Sequence, residues 1–453
     1  MKFIIIGGDA AGMSAASRAK RIQPDLDVTV LEKTMDVSYS ACGMPYNIAD
    51  KNREMDDLVV RDAKTFREKQ GINLRTGHRA DRLDPVSRTV AGETAEGEGF
   101  VLEYDRLLIA TGASAIVPNL PGFDLPGVVA LKSLEDGRRI KEFIKKNDVK
   151  KTVIIGMGYV AIEMCEALCA LGISVEMVKP RPVFLPWMNE KMAEVVKEKL
   201  KANGVRLHLG QSIEKIERNT DTLHPVRLKL VCSGLEIECG MILVAVGVTP
   251  NSNLVSGTNI KLSVDGAIAV DHRLRTSDKI IYAAGDCADA YHVVTGKKTW
   301  IPLALRANMA GRTVADNICD REVSLQGVAG TAVFKVFDLE VARTGLTMEE
   351  SRKFGFDPAM AVIQTRSRAH AHPGSSDIWV QMIGCKQSKR LLGVQMVGAE
   401  GVAHRINAPA VALHNQMTVE EYSHSDLAYA PPFGPVWDPT LTAANQLIKE
   451  LKE

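Results

Sequence analysis

Phe3-Ile4-Ile5-Ile6-Gly7-Gly8-Asp9-Ala10-Ala11-Gly12 opens the chain as an apolar run, a glycine turn and the first residues of a helix. A short continuous apolar run bounded by glycine reads as a strand buried on both faces of a parallel sheet. Met13 to Arg21, rich in small residues, reads as the helix packed closely on it. The next strand, Val28-Thr29-Val30-Leu31, ends in Glu32, about twenty residues past Gly12, where an acid accepts hydrogen bonds from an adenosine ribose. Asp9 takes the middle-glycine place of G-x-G-x-x-G, yet the strand before it and the acid after it complete a dinucleotide-binding unit. The pyrophosphate of such a ligand rests on N–H groups at the helix N-terminus, where the helix dipole favours negative charge.

A second copy follows. Thr152-Val153-Ile154-Ile155 is its strand, Gly156-Met157-Gly158-Tyr159-Val160-Ala161 its turn, Ile162 to Leu171 its helix and Val175 to Val178 its next strand. That strand runs into Lys179-Pro180-Arg181 where the first copy has Glu32, so two cations replace the acid that grips a free 2′-hydroxyl. The exchange favours a 2′-phosphate, hence NADPH over NADH. Between the copies, Leu107 to Gly112 is a strand closed by a glycine turn, mirrored by Met241 to Gly247, and Pro118, Pro121 and Pro126 mark a stiff crossover. Ile280 to Ala284 is a strand closed by Gly285-Asp286, followed by a helix from Pro302 to Asn317 that returns the chain to its first unit. From about residue 325 the pattern becomes strands (Thr331 to Val336, Met360 to Thr365, Ile378 to Ile383, Leu391 to Val397) with two helices and no phosphate loop, an α+β unit expected to form an interface. The expected class is α/β, with two Rossmann-like domains and a C-terminal α+β domain. The first spans residues 1–115 and 246–324, the second 116–245 and the third 325–453.

The candidate reactive centre is Cys42 in Ser38-Tyr39-Ser40-Ala41-Cys42-Gly43-Met44-Pro45-Tyr46. A thiol attacks as its thiolate, so a pKa lowered by a helix N-terminus or a nearby cation is expected there, and Gly43 is expected to leave room for a flat group. The 8 cysteines are dispersed with no CxxC pair, so no zinc ribbon or dithiol motif is indicated. Cys165 and Cys169 fall in an apolar helical pattern and read as core. With 453 residues, 45% hydrophobic and 25% charged, and a net charge of +1, the chain is an ordinary globular protein without a push toward nucleic acid or anionic membrane. The apolar start is too short for a signal h-region and no run of some twenty apolar residues follows, so a cytoplasmic protein binding small molecules is expected.

Together these motifs resemble the flavoprotein disulfide reductases over essentially the whole chain, and within them the single-cysteine branch of coenzyme A disulfide reductases and persulfide or polysulfide reductases. The resemblance implies FAD on Gly7, Gly8, Ala10, Ala11, Gly12, Glu32, Lys33, Thr111, Gly112, Gly285 and Asp286. It implies NAD(P)H on Gly156, Gly158, Tyr159, Val160, Glu163, Lys179 and Arg181, and makes Gly247 a further cofactor contact. Cys42 lies over the flavin, and hydride from NADPH or NADH reaches a Cys42 mixed disulfide or persulfide by way of it. Dithiol members carry a second cysteine five residues on; here that residue is Asn47. The run Leu427 to Phe433 resembles the segment whose tyrosine, here Tyr429, reaches the partner subunit's cysteine, implying a homodimer. Arg18, Arg21, Ser38 and Ser40 are candidates for holding the thiol substrate, coenzyme A among the options. Ala41 stands where many coenzyme A disulfide reductases have asparagine, and Ala369-His370-Ala371-His372-Pro373-Gly374 stands where a Tyr-Tyr-Pro-Gly type segment is expected. The sulfur substrate therefore stays open.

Two rivals remain. An NAD(P)H oxidase or peroxidase cycles its cysteine through sulfenic acid; those relatives usually carry a histidine two places before the last glycine of the first loop, where this chain has Ala10. A redox-sensing or electron-transfer flavoprotein binds a partner protein through the third domain.

Overall fold

The fold is given by a computed structural model that describes residues 1–218 and 227–452. Phe3 to Ile6 are buried throughout and form β1 (Lys2–Ile6). It pairs in parallel with β2 (Asp27–Leu31) on one side and with Arg106–Ile109 on the other. The sheet runs Ile281–Ala283, Arg106–Ile109, β1, β2, Asn73–Arg75. α1 (Ala10–Ile22) starts directly after Asp9, earlier than the small-residue pattern indicated, because Gly7, Gly8 and Asp9 complete the turn. Gly7 has φ +116°, and a Cβ there would lie 2.1 Å from the Ala110 carbonyl oxygen. A Cβ on Gly12 would lie 1.9 Å from the Gly7 oxygen. Strand, turn and helix are thus packed backbone against backbone.

The thiol segment leads into a short helix, α2 (Met44–Ile48), with Pro45 in its first turn. The second sheet repeats the first. α3 (Leu134–Lys146) precedes β3 (Lys151–Ile155), α4 (Tyr159–Ala170) and β4 (Ser174–Lys179). The strand order is Arg206–Leu209, β4, β3, Met241–Val244, Val128–Ala130. Gly156 matches Gly7, with φ +119° and a hypothetical Cβ 2.2 Å from the Ala245 oxygen. α4 begins at Tyr159, ahead of the expected Ile162, and buries Cys165 in the core as expected. α5 (Ala304–Ile318) then returns to α1. Gly311 lets the helices touch, since a Cβ there would sit 2.1 Å from the Ala11 oxygen. The Ser14 hydroxyl donates to Asn308 Oδ1 at 2.6 Å beside that contact.

Each nucleotide unit carries a three-stranded antiparallel sheet that the sequence reading missed: His78–Asp84, Thr89–Thr94, Gly99–Glu103 in one and Ile213–Arg218, Leu228–Cys232, Leu235–Cys239 in the other. The third unit is a five-stranded antiparallel sheet in the order Ala332–Val336, Leu339–Gly345, Leu391–Gly398, Asp377–Cys385, Pro358–Arg366. Four of these strands were expected. Leu339–Gly345 was hidden because its hairpin turns on Phe337-Asp338, with Phe337 at φ +55°, a conformation a bulky residue rarely adopts. Helices also exceed the expected two: Met348–Lys353, Val402–Arg405, Asn407–His414, Val419–Ser423 and Pro439–Glu450. Among the described residues no helix is long and apolar enough to cross a membrane.

The glycines differ in what they protect. A Cβ on Gly112 or Gly158 would meet nothing within 4 Å, although Gly112 has φ +71°. Gly7→Ala is expected to lower stability by more than about 2 kcal/mol, since backbone must move. Gly112→Ala is expected to cost only about 1 kcal/mol for its left-handed conformation while weakening flavin retention. Urea unfolding midpoints and the flavin absorbance of the purified variants check both; equal midpoints would refute the distinction.

Candidate active site

Cys42 is exposed and sits in a single 3₁₀ turn, Ala41–Gly43, that runs directly into α2. The segment before it is tied to the first glycine loop: the Ser38 N–H donates to the Gly8 oxygen at 3.1 Å, with Ser38 held at φ +48°. The Ser40 N–H donates to the Leu58 oxygen at 2.8 Å, and the Gly43 N–H to the Ser40 oxygen at 2.9 Å. Gly43 does not provide the expected open approach. A Cβ there would meet Leu58 Cδ2 at 2.8 Å and Ser40 Oγ at 3.1 Å, so this glycine serves packing.

Asn47 fills a structural role. It is fully buried, its amide donates to the Glu54 oxygen at 2.8 Å, and its Oδ1 accepts from Lys141 Nζ at 3.1 Å. The same ammonium on α3 also binds the carbonyls of Asn47 (3.0 Å), Asp50 (2.8 Å) and Arg53. It therefore caps the C-terminal end of the helix that follows the thiol, where a cation is favoured.

The expected low thiol pKa is not present in the chain by itself. Although Cys42 is exposed, the protein around it desolvates the thiol in part and pushes it up, and the Glu163 carboxylate adds to the rise; Lys132 opposes them, while Asp286 and Asp9 act with them. Lys132 Nζ is itself paired with Asp286 Oδ2 at 3.2 Å, which spends much of its charge. Asp9 is driven to about 6, mainly by burial, with a bond from the Tyr39 backbone pulling the other way.

The two nucleotide cradles keep the geometry their glycines imply. Glu32 Oε2 accepts from the Gly8 N–H at 2.7 Å, and Oε1 from the Thr34 N–H and hydroxyl at 2.8 Å each, so the acid is fixed at the end of β2 beside the loop. Lys33, next to it, is exposed, Ala10 is partly exposed, and Ala11 packs against Gly285. Thr111 and Gly112 are braced by Asn251: the Thr111 hydroxyl donates to the Asn251 oxygen at 2.6 Å, and the Asn251 N–H to the Gly112 oxygen at 2.9 Å. Trp300 Nε1 holds the Asp286 carbonyl at 2.8 Å. Open space in front of Gly112 and Gly158, together with an acid at one β-strand end and cations at the other, fits a pair of dinucleotides.

At the second cradle Gly158 stands at the N-cap of α4 and Val160 is 44% exposed. Tyr159 lies against Phe334 and Trp187. Gly247, at φ +126°, has Ile116 as its near neighbour. Glu163 accepts from the Tyr46 hydroxyl at 2.9 Å. Lys179 Nζ donates to the Val183 oxygen at 3.0 Å, and Arg181 is exposed two residues on. Of the proposed substrate cations, Arg18 is engaged with Asp316 at 2.9 Å, whereas Arg21 is exposed.

Tyr429 is 48% exposed and shares the surface with Phe433, Val436 and Trp437 at 78%, 67% and 61%. The loop carrying His370 and His372 is stapled to it, since the Ala369 N–H donates to the Pro431 oxygen at 3.1 Å and Arg405 bonds both Ser367 and Phe433 carbonyls. Sequence reasoning missed Tyr46, Lys132, Lys141 and Asn251. Each is an isolated polar residue whose role depends on a partner distant in the chain, and no local spacing signals it.

Residues 1–311 match the pyridine nucleotide-disulphide oxidoreductase family and residues 331–439 its dimerisation domain. The chain is 38% identical over 449 residues to an NAD(P)H sulfur oxidoreductase (CoA-dependent) of Pyrococcus furiosus, covering 98% of this chain and 99% of that protein. It is 31% identical over 452 residues to an NADH oxidase of Methanocaldococcus jannaschii, covering 100% and 99%. The solved NAD-dependent persulfide reductase of A. fulgidus superposes with a TM-score of 0.95 at 35% identity, covering 100% of this chain and 84% of that one. An exposed thiol segment tied to the first of two dinucleotide cradles, over nearly the full length of such relatives, places this chain in the pyridine nucleotide-disulphide oxidoreductase family.

Proposed function

We propose that the protein is an FAD-dependent NAD(P)H oxidoreductase that reduces a small-molecule disulfide, persulfide or polysulfide through Cys42. The observation that carries this reading is one exposed thiol beside the first nucleotide loop, with a buried, fully bonded Asn47 in place of a second thiol. In this reading residues 1–115 and 246–324 hold FAD, 116–245 hold NAD(P)H and 325–453 form a homodimer. A flavin held by these residues would supply two-electron transfer between the nicotinamide and sulfur.

The chain's own residues do the rest. The Cys42 thiolate attacks one sulfur of R–S–S–R, an S–S bond forms to Cys42, and RS⁻ departs. Glu32 orients the adenosine end, Gly7 and Gly12 let the loop close on which the dinucleotide rests, Gly112 leaves it space, and Lys179 with Arg181 favours a 2′-phosphate. The partner subunit's copy of Tyr429 supplies a phenol near the departing thiolate. Dispersed free cysteines are compatible with a reducing cytoplasm. The M. jannaschii relative's name raises an oxidase as the second reading; Ala10 supplies no imidazole at the place in the first loop where such relatives usually carry one.

Three outcomes test the proposal. NADPH is expected to match or exceed NADH in kcat/KM, with Lys179→Glu moving the preference toward NADH; a tenfold NADH preference in the unaltered protein, about 1.4 kcal/mol, would contradict it. Cys42→Ser is expected to abolish disulfide reduction yet leave the flavin bound and reducible, and the intact mass of the oxidised protein is expected to carry an added thiol or sulfur rather than one oxygen. Mixing inactive Cys42→Ser chains with inactive Tyr429→Phe chains is expected to restore activity in hybrid dimers; a fully active monomer in sedimentation would remove the shared site.

A further inference from the structure

α2 begins two residues after Cys42, carries Tyr46, and packs against α4 of the second nucleotide unit. Across that contact the Tyr46 hydroxyl donates to Glu163 Oε1 at 2.9 Å. Tyr46 is 46% exposed, so a phenol with water at hand is directed to a carboxylate instead. Among the described residues no cation pairs with Glu163. Its helix neighbour Glu166 is already satisfied by Lys335 Nζ at 2.7 Å and by the Phe337 N–H at 2.8 Å. The Glu163 carboxylate is therefore left with one phenol to solvate it, on the helix against which the helix following the thiol packs.

We infer that Tyr46 is a positioning residue that holds the Glu163 carboxylate between the thiol helix and the nicotinamide helix, where its charge couples occupation of the one to reactivity of the other. This rests on the functional reading above. A carboxylate held near a thiol opposes thiolate formation, and a cation brought beside that carboxylate cancels the effect. The oxidised nicotinamide ring is such a cation. Product retained on α4 thus favours the thiolate that attacks the next disulfide, whereas an empty α4 keeps the proton on sulfur and limits stray reactions.

The electrostatics agree in direction. Burial and then Glu163 raise the Cys42 thiol, against Lys132 and with Asp286 and Asp9. The Tyr46 phenol is raised by burial, Glu163, Glu166 and Cys42. Glu163 is raised by burial and by Glu166, and lowered by its bond from Tyr46.

The test reads the pH midpoint of Cys42 alkylation by iodoacetamide, followed by intact mass in the reduced, desalted holoenzyme. Glu163→Gln is expected to lower the midpoint by about one unit, the size of a close like-charge effect. Tyr46→Phe is expected to lower it too, because the carboxylate then either swings away or takes up a proton. Saturating NADP⁺ is expected to lower the midpoint of the unaltered protein and to have no effect on Glu163→Gln. An unchanged or raised midpoint in either variant, or an NADP⁺ effect that survives in Glu163→Gln, overturns the inference. Should Glu163→Gln fail to hold flavin, Glu163→Asp, which draws the charge back by one methylene, is expected to give a smaller downward shift, and no shift overturns it. Retention of reductase activity by Cys42→Ser would sink the functional reading instead, while these midpoints still decide the role of Tyr46.

Discussion

The architecture depends on backbone meeting backbone with no side chain between. Gly7 against Ala110, Gly12 against Gly7, Gly156 against Ala245 and Gly311 against Ala11 each exclude even a methyl group. Those approaches bring a strand end, a helix start and a neighbouring strand to one point, which leaves N–H groups aimed outward at a common space. Because α1 and α5 touch through Gly311, the Gly285-Asp286 turn is drawn over the same loop, and Gly285 approaches Ala11 directly. The thiol segment is then tied on by the bond from the Ser38 N–H to the Gly8 oxygen and by that from the Tyr39 backbone to Asp9, so Cys42 takes its position from the nucleotide loop.

Around that sulfur the charges are arranged in opposition. Lys132 faces Asp286, Asp9 is buried near both, and Glu163 approaches from the second nucleotide unit. The protein alone thus disfavours the thiolate. An exposed thiol held mostly protonated resists indiscriminate oxidation, since the thiolate is the reactive form.

Much of this was legible in the sequence where the physics is local. The two strand-glycine-helix units, Glu32 against Lys179 and Arg181, and Cys42 without a second thiol all follow from spacing over about thirty residues. The hairpin at Phe337 was not legible, because its turn uses an aromatic residue in a left-handed conformation that neighbouring contacts enforce. The polar antiparallel strands such as His78–Asp84 were missed because a largely exposed strand carries little apolar alternation. The purpose of Gly43 was misread for a related reason: sequence gives the absence of a side chain but not what occupies the space, here Leu58. Lys141 and Tyr46 act across roughly ninety and one hundred and seventeen residues respectively, beyond any window that periodicity can examine.

The ammonium of Lys141 has a consequence for how this enzyme type can change. It is bound by Asn47 through both side chain and main chain, and by the carbonyls of Asp50 and Arg53. Replacing Asn47 with cysteine would supply a second thiol but remove an amide that fixes Glu54 and an oxygen that accepts from a part-buried ammonium. The ammonium keeps its three carbonyls, but a buried helix end that loses two hydrogen bonds is weakened by on the order of 1–3 kcal/mol. A second thiol at position 47 is therefore set against the anchoring that Asn47 and Lys141 give the helix after Cys42.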